Sequence, residues 1–144
     1  IPLCGNDFKK FKHVKKYIAD LQEQLQTDGF GTYDAWYLVT TYGKQTESIL
    51  ELYAKIKGDK PTERLIRAEA RFTIAHEMAL NPLDFFIRRT GRLYFDIDSV
   101  RKYKEPVFEE FQKAYNYSAE DMEAFSVELD AQLKEHSDFS LERD

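Results

Sequence analysis

PTERLIRAEARFTIAHEMALNPLDFFIRRTG, residues 61–91, places two helical signals end to end. Pro61 and Thr62 suit a helix start, and Leu65, Ala68, Phe72, Ala75 and Ala79 then recur at spacings of three and four. That spacing predicts one apolar face, with small residues that let a neighbour approach closely. Asn81-Pro82 ends this helix and starts another. Asn81 serves as N-cap, Pro82 takes the first helical position, and Asp84 sits three positions into the helix, where a carboxylate meets the positive end of the helix dipole. Gly91 closes the second helix. The same stretch carries Glu77, Asp84, Arg88 and Arg89 among residues that look like core, so these charges either pair with one another or face something outside the segment.

Working outward, Phe8, Phe11, Val14, Ile18, Leu21 and Leu25 mark one apolar stripe, broken over Asp28 to Gly31. A second helix is predicted over Thr32 to Tyr42. Its crowded Trp36, Tyr37, Leu38 and Val39 imply broad burial, and Gly43 can end it in the left-handed conformation. Ile49, Leu50, Tyr53 and Ile56 mark a third helix, closed by Gly58. Downstream, RLYFDI (92–97) reads as a short extended connection. A helix from Asp96 or Asp98 follows, carrying Val100, Tyr103, Val107, Phe111 and Tyr115, with Pro106 expected to kink or divide it. The last helix starts at Ser118 with Asp121 as its capping partner and Tyr117–Met122 as a hydrophobic staple, and the polar chain from His136 should fray. No alternating strand pattern with turn signals occurs. The expected fold is all-α, a single helical domain of about seven helices with short connections, spanning 8–138 between a linker at 1–7 and a frayed tail at 139–144.

The chain has 144 residues, enough for one core without covalent staples. Its net charge of -5 argues against a broad phosphate-binding face, and its aromatics do not interleave with Lys or Arg, so no nucleic-acid partner is expected. Lys9, Lys10, Lys12, Lys15 and Lys16 read as the wet side of the first helix, with contact to an anionic surface as the other reading. The one cysteine, Cys4, permits no internal disulfide and suggests a reducing compartment. The chain begins with Ile1, which reads as excision from something longer.

Chemistry-bearing patterns are few. His76-Glu77 would open a zinc-protease motif, but Leu80 stands where the second His is needed. His13, His76 and His136 are scattered, so no metal site is expected. Gly29-Phe30-Gly31 precedes a helix but follows no strand and lacks a third glycine, so it is not read as a dinucleotide loop. Glu109-Glu110, Glu120-Asp121, Asp96 and Asp98 fall on predicted solvated faces or helix starts. No catalytic or cofactor-binding residue is assigned. Asp84 and Arg88 are four apart with the acid first, the favourable order on a helix, and Glu77 could meet Arg89 across the Asn-Pro break. The four charges can therefore clamp two helices or form a surface for another domain.

EARFTIAHEMALNPLDFFIRRTGRLYF (69–95) resembles the C-terminal helical domain of FAD-dependent glycerol-3-phosphate dehydrogenases and α-glycerophosphate oxidases, whose Glu, Asp and Arg-Arg-Thr pattern falls on Glu77, Asp84, Arg88, Arg89 and Thr90. LVTTYGKQTESIL (38–50) resembles that family's Tyr-Gly helix end, here Tyr42 and Gly43. IPLCGNDF (1–8) resembles its linker, and FQKAYNYSAEDMEAFSVEL (111–129) its last helices, with Tyr117 where Trp is common. The resemblance implies a domain whose partner is an upstream flavin domain of the same chain. That full-length enzyme would oxidise sn-glycerol 3-phosphate to dihydroxyacetone phosphate with FAD as hydride acceptor. It would be cytoplasmic, with membrane contact at the inner face open only to the full-length protein. The fragment alone is expected to bind no FAD and to turn over nothing. Glu77, Asp84, Arg88, Arg89, Thr90, Tyr42 and Gly43 are its structural or interdomain residues. The rival reading is a free-standing helical module that binds a peptide or protein in a groove.

Overall fold

The computed structural model describes residue 8, residues 10–58 and residues 60–137, and every regular element among them is helical. Seven α-helices follow in order: α1 Phe11–Gln26, α2 Thr32–Tyr42, α3 Thr46–Lys55, α4 Pro61–His76, α5 Arg92–Phe95, α6 Ile97–Tyr115 and α7 Ala119–Ser137. A π-helix, Asp84–Arg89, separates α4 from α5. The chain is all-α, and its contacts cluster into two compact units, Ile1–Ala68 and Glu69–Asp144, with the boundary inside α4. The expected linker (1–7), its Cys4 and the expected tail (139–144) lie outside the described residues.

In the first unit α1 packs on α2, and α2 on α3. Gln22 Nε2 donates to Thr32 Oγ1 at 2.8 Å, tying the end of α1 to the start of α2. The α1 stripe is only half used: Leu21 and Leu25 are buried, whereas Phe11 is 71% exposed. The Val39–Gly43 end of α2 lies beside Phe8 and Val14, and Phe11 is left on the uncovered side of α1. The expected broad burial of α2 is also corrected. Ala35, Leu38, Val39 and Tyr42 form one buried stripe, and Trp36, one residue off it, is exposed. Gly43, at φ +57, turns the chain, and buried Thr46 seals the turn by donating its hydroxyl to the carbonyls of Gly43 (2.7 Å) and Leu38 (3.1 Å). Arg64 closes α3 from the next helix. Its Nε reaches the Ile56 carbonyl at 2.8 Å, and its guanidinium lies 4.2 Å from the Tyr53 ring centre.

In the second unit α6 packs on α7, and α5 packs against both and against the π-helix. Helix α4 stops at His76 rather than running on to Asn81. Met78 adopts a left-handed φ of +56, and the Ala79 amide returns to the Thr73 carbonyl at 3.2 Å. Ala79 is fully buried, as its place in the stripe suggested, but from a loop. The next helix does start at Asn81: its Oδ1 accepts from the Asp84 amide at 2.9 Å. It then widens into the π form, with the Thr90 amide and hydroxyl both donating to the Phe85 carbonyl, at 3.0 and 2.8 Å. Phe85 and Phe86 are both fully buried there.

Residues 92–95, expected to be extended, form a single helical turn after Gly91 at φ +63. Asp96 caps α6 by accepting from the Ser99 amide, and α6 runs undivided through Pro106. Ser118 and Asp121 form the expected reciprocal cap of α7, at 3.1 and 3.0 Å, and the Tyr117 ring packs on Phe125 at 5.2 Å. Helix α7 continues through His136 to Ser137, which accepts from Arg101 at 2.8 Å.

Candidate functional site

The charged stretch 77–90 lies wholly within the second unit. Asp84 uses both carboxylate oxygens: Oδ2 accepts from the Leu80 amide at 3.0 Å, and Oδ1 from Arg88 at 2.9 Å. Arg88 is 75% exposed along its side chain, so this pair works mainly as a local brace. Glu77 and Arg89 lie near enough across the Asn-Pro break for their charges to interact, and among the described residues they do not close to a salt bridge. Burial pushes the Glu77 carboxyl above its usual range, against the opposing charges of Arg89 and His76. Arg89 faces solvent, and Thr90 is spent on the π-turn. Glu77, Asp84, Arg88, Arg89 and Thr90 thus share one segment. Tyr42 and Gly43 belong to the other unit, at the end of α2.

The loop 77–80 is held from beneath. Tyr115 Oη donates to the Ala79 carbonyl at 2.8 Å, and Tyr117 Oη to the Leu80 carbonyl at 2.5 Å. Above these anchors Met78, 79% exposed, and Leu80 face solvent. Phe95, 90% exposed, and Tyr94 sit at the opposite end of α6, beside Asp96, Arg101 and His136. The nineteen residues of α6 separate the two ends by roughly 28 Å, so these are two apolar patches and not one.

Two ion pairs beneath this surface have no local spacing to announce them. Glu69 on α4 is 1% exposed and accepts from Arg92 of α5 at 2.9 Å. Arg92 also donates to Ser99 Oγ at 3.2 Å. Arg71 grips Glu110 of α6 with two bonds, 2.7 and 3.3 Å. Glu110, read from sequence as solvated, is buried. The pairs span 23 and 39 residues, and only the fold brings them together. Each fastens two or more helices.

Chemical alternatives find little support in the geometry. His76 packs on the Phe72 ring at 4.9 Å, and among the described residues no three His, Cys, Asp or Glu side chains could share a metal. A flavin dinucleotide does not fit the Gly29–Gly31 turn. Phe30 is buried there, and the Gly31 amide, the donor a phosphate would need, is already taken by Asp34 Oδ2 at 2.8 Å. A cleft of about 230 Å³ is lined by Lys57, Lys60, Arg64 and Arg67, but Arg64 is committed to α3 carbonyls and Arg67 to Glu63. It is smaller than the usual ~300–1,000 Å³ of small-molecule sites.

Residues 1–122 match the family described as the C-terminal domain of alpha-glycerophosphate oxidase. The chain is 30% identical over 138 residues to an aerobic glycerol-3-phosphate dehydrogenase of Staphylococcus haemolyticus, covering 93% of this chain and 24% of that one. It is 28% identical over 134 residues to an alpha-glycerophosphate oxidase of Enterococcus casseliflavus, covering 93% and 21%. Among solved structures, the X-ray structure of glycerol-3-phosphate dehydrogenase from Bacillus halodurans complexed with FAD superposes with a TM-score of 0.77 at 25% identity, over 92% of this chain and 27% of that one. The chain spans about a quarter of the length of these relatives.

Proposed function

This chain belongs to the family of alpha-glycerophosphate oxidase C-terminal domains, and from that membership we propose that it is the non-catalytic helical domain of an FAD-dependent glycerol-3-phosphate dehydrogenase. In this reading residues 8–138 form the domain, residues 1–7 link it to an upstream flavin domain, and residues 139–144 are a tail. The flavin domain holds FAD, which takes a hydride from sn-glycerol 3-phosphate to give dihydroxyacetone phosphate. The helical domain packs on that partner and supports it, and touches neither cofactor nor substrate. The full-length protein is cytoplasmic, with any membrane contact peripheral. Among the described residues no helix is long and apolar enough to cross a membrane.

The observation that carries the reading is the family match over residues 1–122 in a chain that covers 24% of its relative. The interior charges favour support over chemistry, because Glu69 and Glu110 are each held by an arginine of another helix. The test compares the full-length protein, the same protein ending before residue 8, and residues 1–144 alone. Flavin absorbance per chain and oxidation of glycerol 3-phosphate with an artificial acceptor are measured for each. The full-length protein should be yellow and active, its truncated form less heat-stable, and the helical part colourless and inert. Flavin or turnover in residues 1–144 alone would overturn the reading.

A further inference from the structure

The loop 77–80 combines features that oppose one another in an ordinary surface loop. Met78 holds a left-handed φ of +56, a conformation in which a residue with a Cβ is crowded by its own backbone. Its side chain is 79% exposed and that of Leu80 56%. Yet the segment is heavily fastened. Two tyrosine hydroxyls hold consecutive carbonyls, Asp84 holds the Leu80 amide, and the Ala79 amide reaches back to α4. Beside it the half-buried Glu77 carboxyl faces the charges of the exposed Arg89 and of His76. Strain, anchoring and exposed apolar side chains together describe a surface shaped in advance for something that covers it.

We propose that this rim, Glu77, Met78, Leu80 and Arg89, is the face on which the upstream flavin domain of the full-length protein docks, with Met78 and Leu80 entering an apolar hollow and Arg89 meeting a carboxylate at its edge. The inference rests on the proposed function and specifies which surface that function uses. Two observations choose the occupant and the face. The relatives are about four times as long as this chain, and the matching family is a C-terminal domain, so the large remaining body in those proteins lies upstream. The rim lies wholly within the family match at 1–122, whereas the rival patch at Phe95 is completed by His136 and Ser137, outside it. Arg88 is exposed as well but is bonded to Asp84 of its own turn.

The experiment uses the full-length protein with a protease site placed within residues 1–7. After folding and cleavage the two parts are run together on gel filtration. The unaltered protein should remain one species. Leu80→Asp and Arg89→Glu should each release the helical part, with a rise in Kd of about tenfold or more, as for a residue among the few that dominate an interface. Phe95→Asp should leave the parts together. Far-UV circular dichroism of the released fragment checks folding, and if a rim variant has lost helix, Met78→Ala with Arg89→Ala replaces it, both being truncations of exposed side chains. If Phe95→Asp releases the fragment and the rim variants do not, the assignment of the face is overturned while packing on the flavin domain stands. If the unaltered parts separate on cleavage, the proposed function fails and takes the assignment with it.

Discussion

Asp84–Arg88 and Glu69–Arg92 are ion pairs of the same length, 2.9 Å, in the same unit, and they do opposite things. The first joins residues four apart on one turn, with its arginine in solvent. The second joins α4 to α5 across 23 residues, with its carboxylate 1% exposed. A solvated pair gains little, because water already serves both charges. A buried pair must be kept whole, because either charge left alone has lost its water and gained nothing. Distance therefore says little about consequence, and burial of the partner says most.

Glu69→Ala breaks this comparison most directly. It should cost about 3–5 kcal/mol in urea unfolding, since Arg92 stays largely buried after losing the carboxylate it faces at 2.9 Å. A loss below about 1 kcal/mol would place the inner pair in the same class as the outer one.

A second long-range contact acts through pH. The Tyr53 hydroxyl bonds to Asp28, and burial first, then that bond, pushes its pKa up to about 12. The folded value lies above the usual 10, so the contribution is complete below pH 10 and fades as pH rises through 12. Alkaline unfolding should show this loss, and Tyr53→Phe should flatten that limb.

At a local cap the effect is smaller. Ser118→Ala should cost about 1 kcal/mol. The Ser118 hydroxyl and amide hold the Asp121 carboxyl below its usual range, so that contribution is present above pH 3.8 and is lost as pH falls through the lower folded value. In Ser118→Ala the acid limb should weaken. Arg88→Ala should do least, at most about 0.5–1 kcal/mol, and a urea midpoint shift larger than that of Ser118→Ala would mean the outer pair is not the solvated brace its exposure implies.

What sequence reading recovers follows the same division. Helix starts written in side chains are legible: Asn81 with Asp84 and Ser118 with Asp121 both form as spaced. The end of α4 is not, because the left-handed residue is Met78 rather than glycine and Ala79 keeps the apolar stripe in register past the break. No residue announces the π-turn; its mark is a Thr90 bond to a carbonyl five residues back. In the candidate site Asp84–Arg88 could be read from spacing. Glu69–Arg92 and Arg71–Glu110 could not, because in a chain with 33% charged residues many arginines and acids are equally eligible until the fold selects them.

The tyrosine anchors also bear on how the molecule meets a protease. Loop 77–80 has the outward marks of a cleavage site: exposed, irregular, and carrying Met and Leu side chains. Cleavage needs the backbone drawn out and its carbonyls surrendered to the enzyme. Here two successive carbonyls are held by Tyr115 and Tyr117. The loop will resist nicking until the end of α6 itself lets go, so the most conspicuous soft spot on this surface should be among the last to be cut.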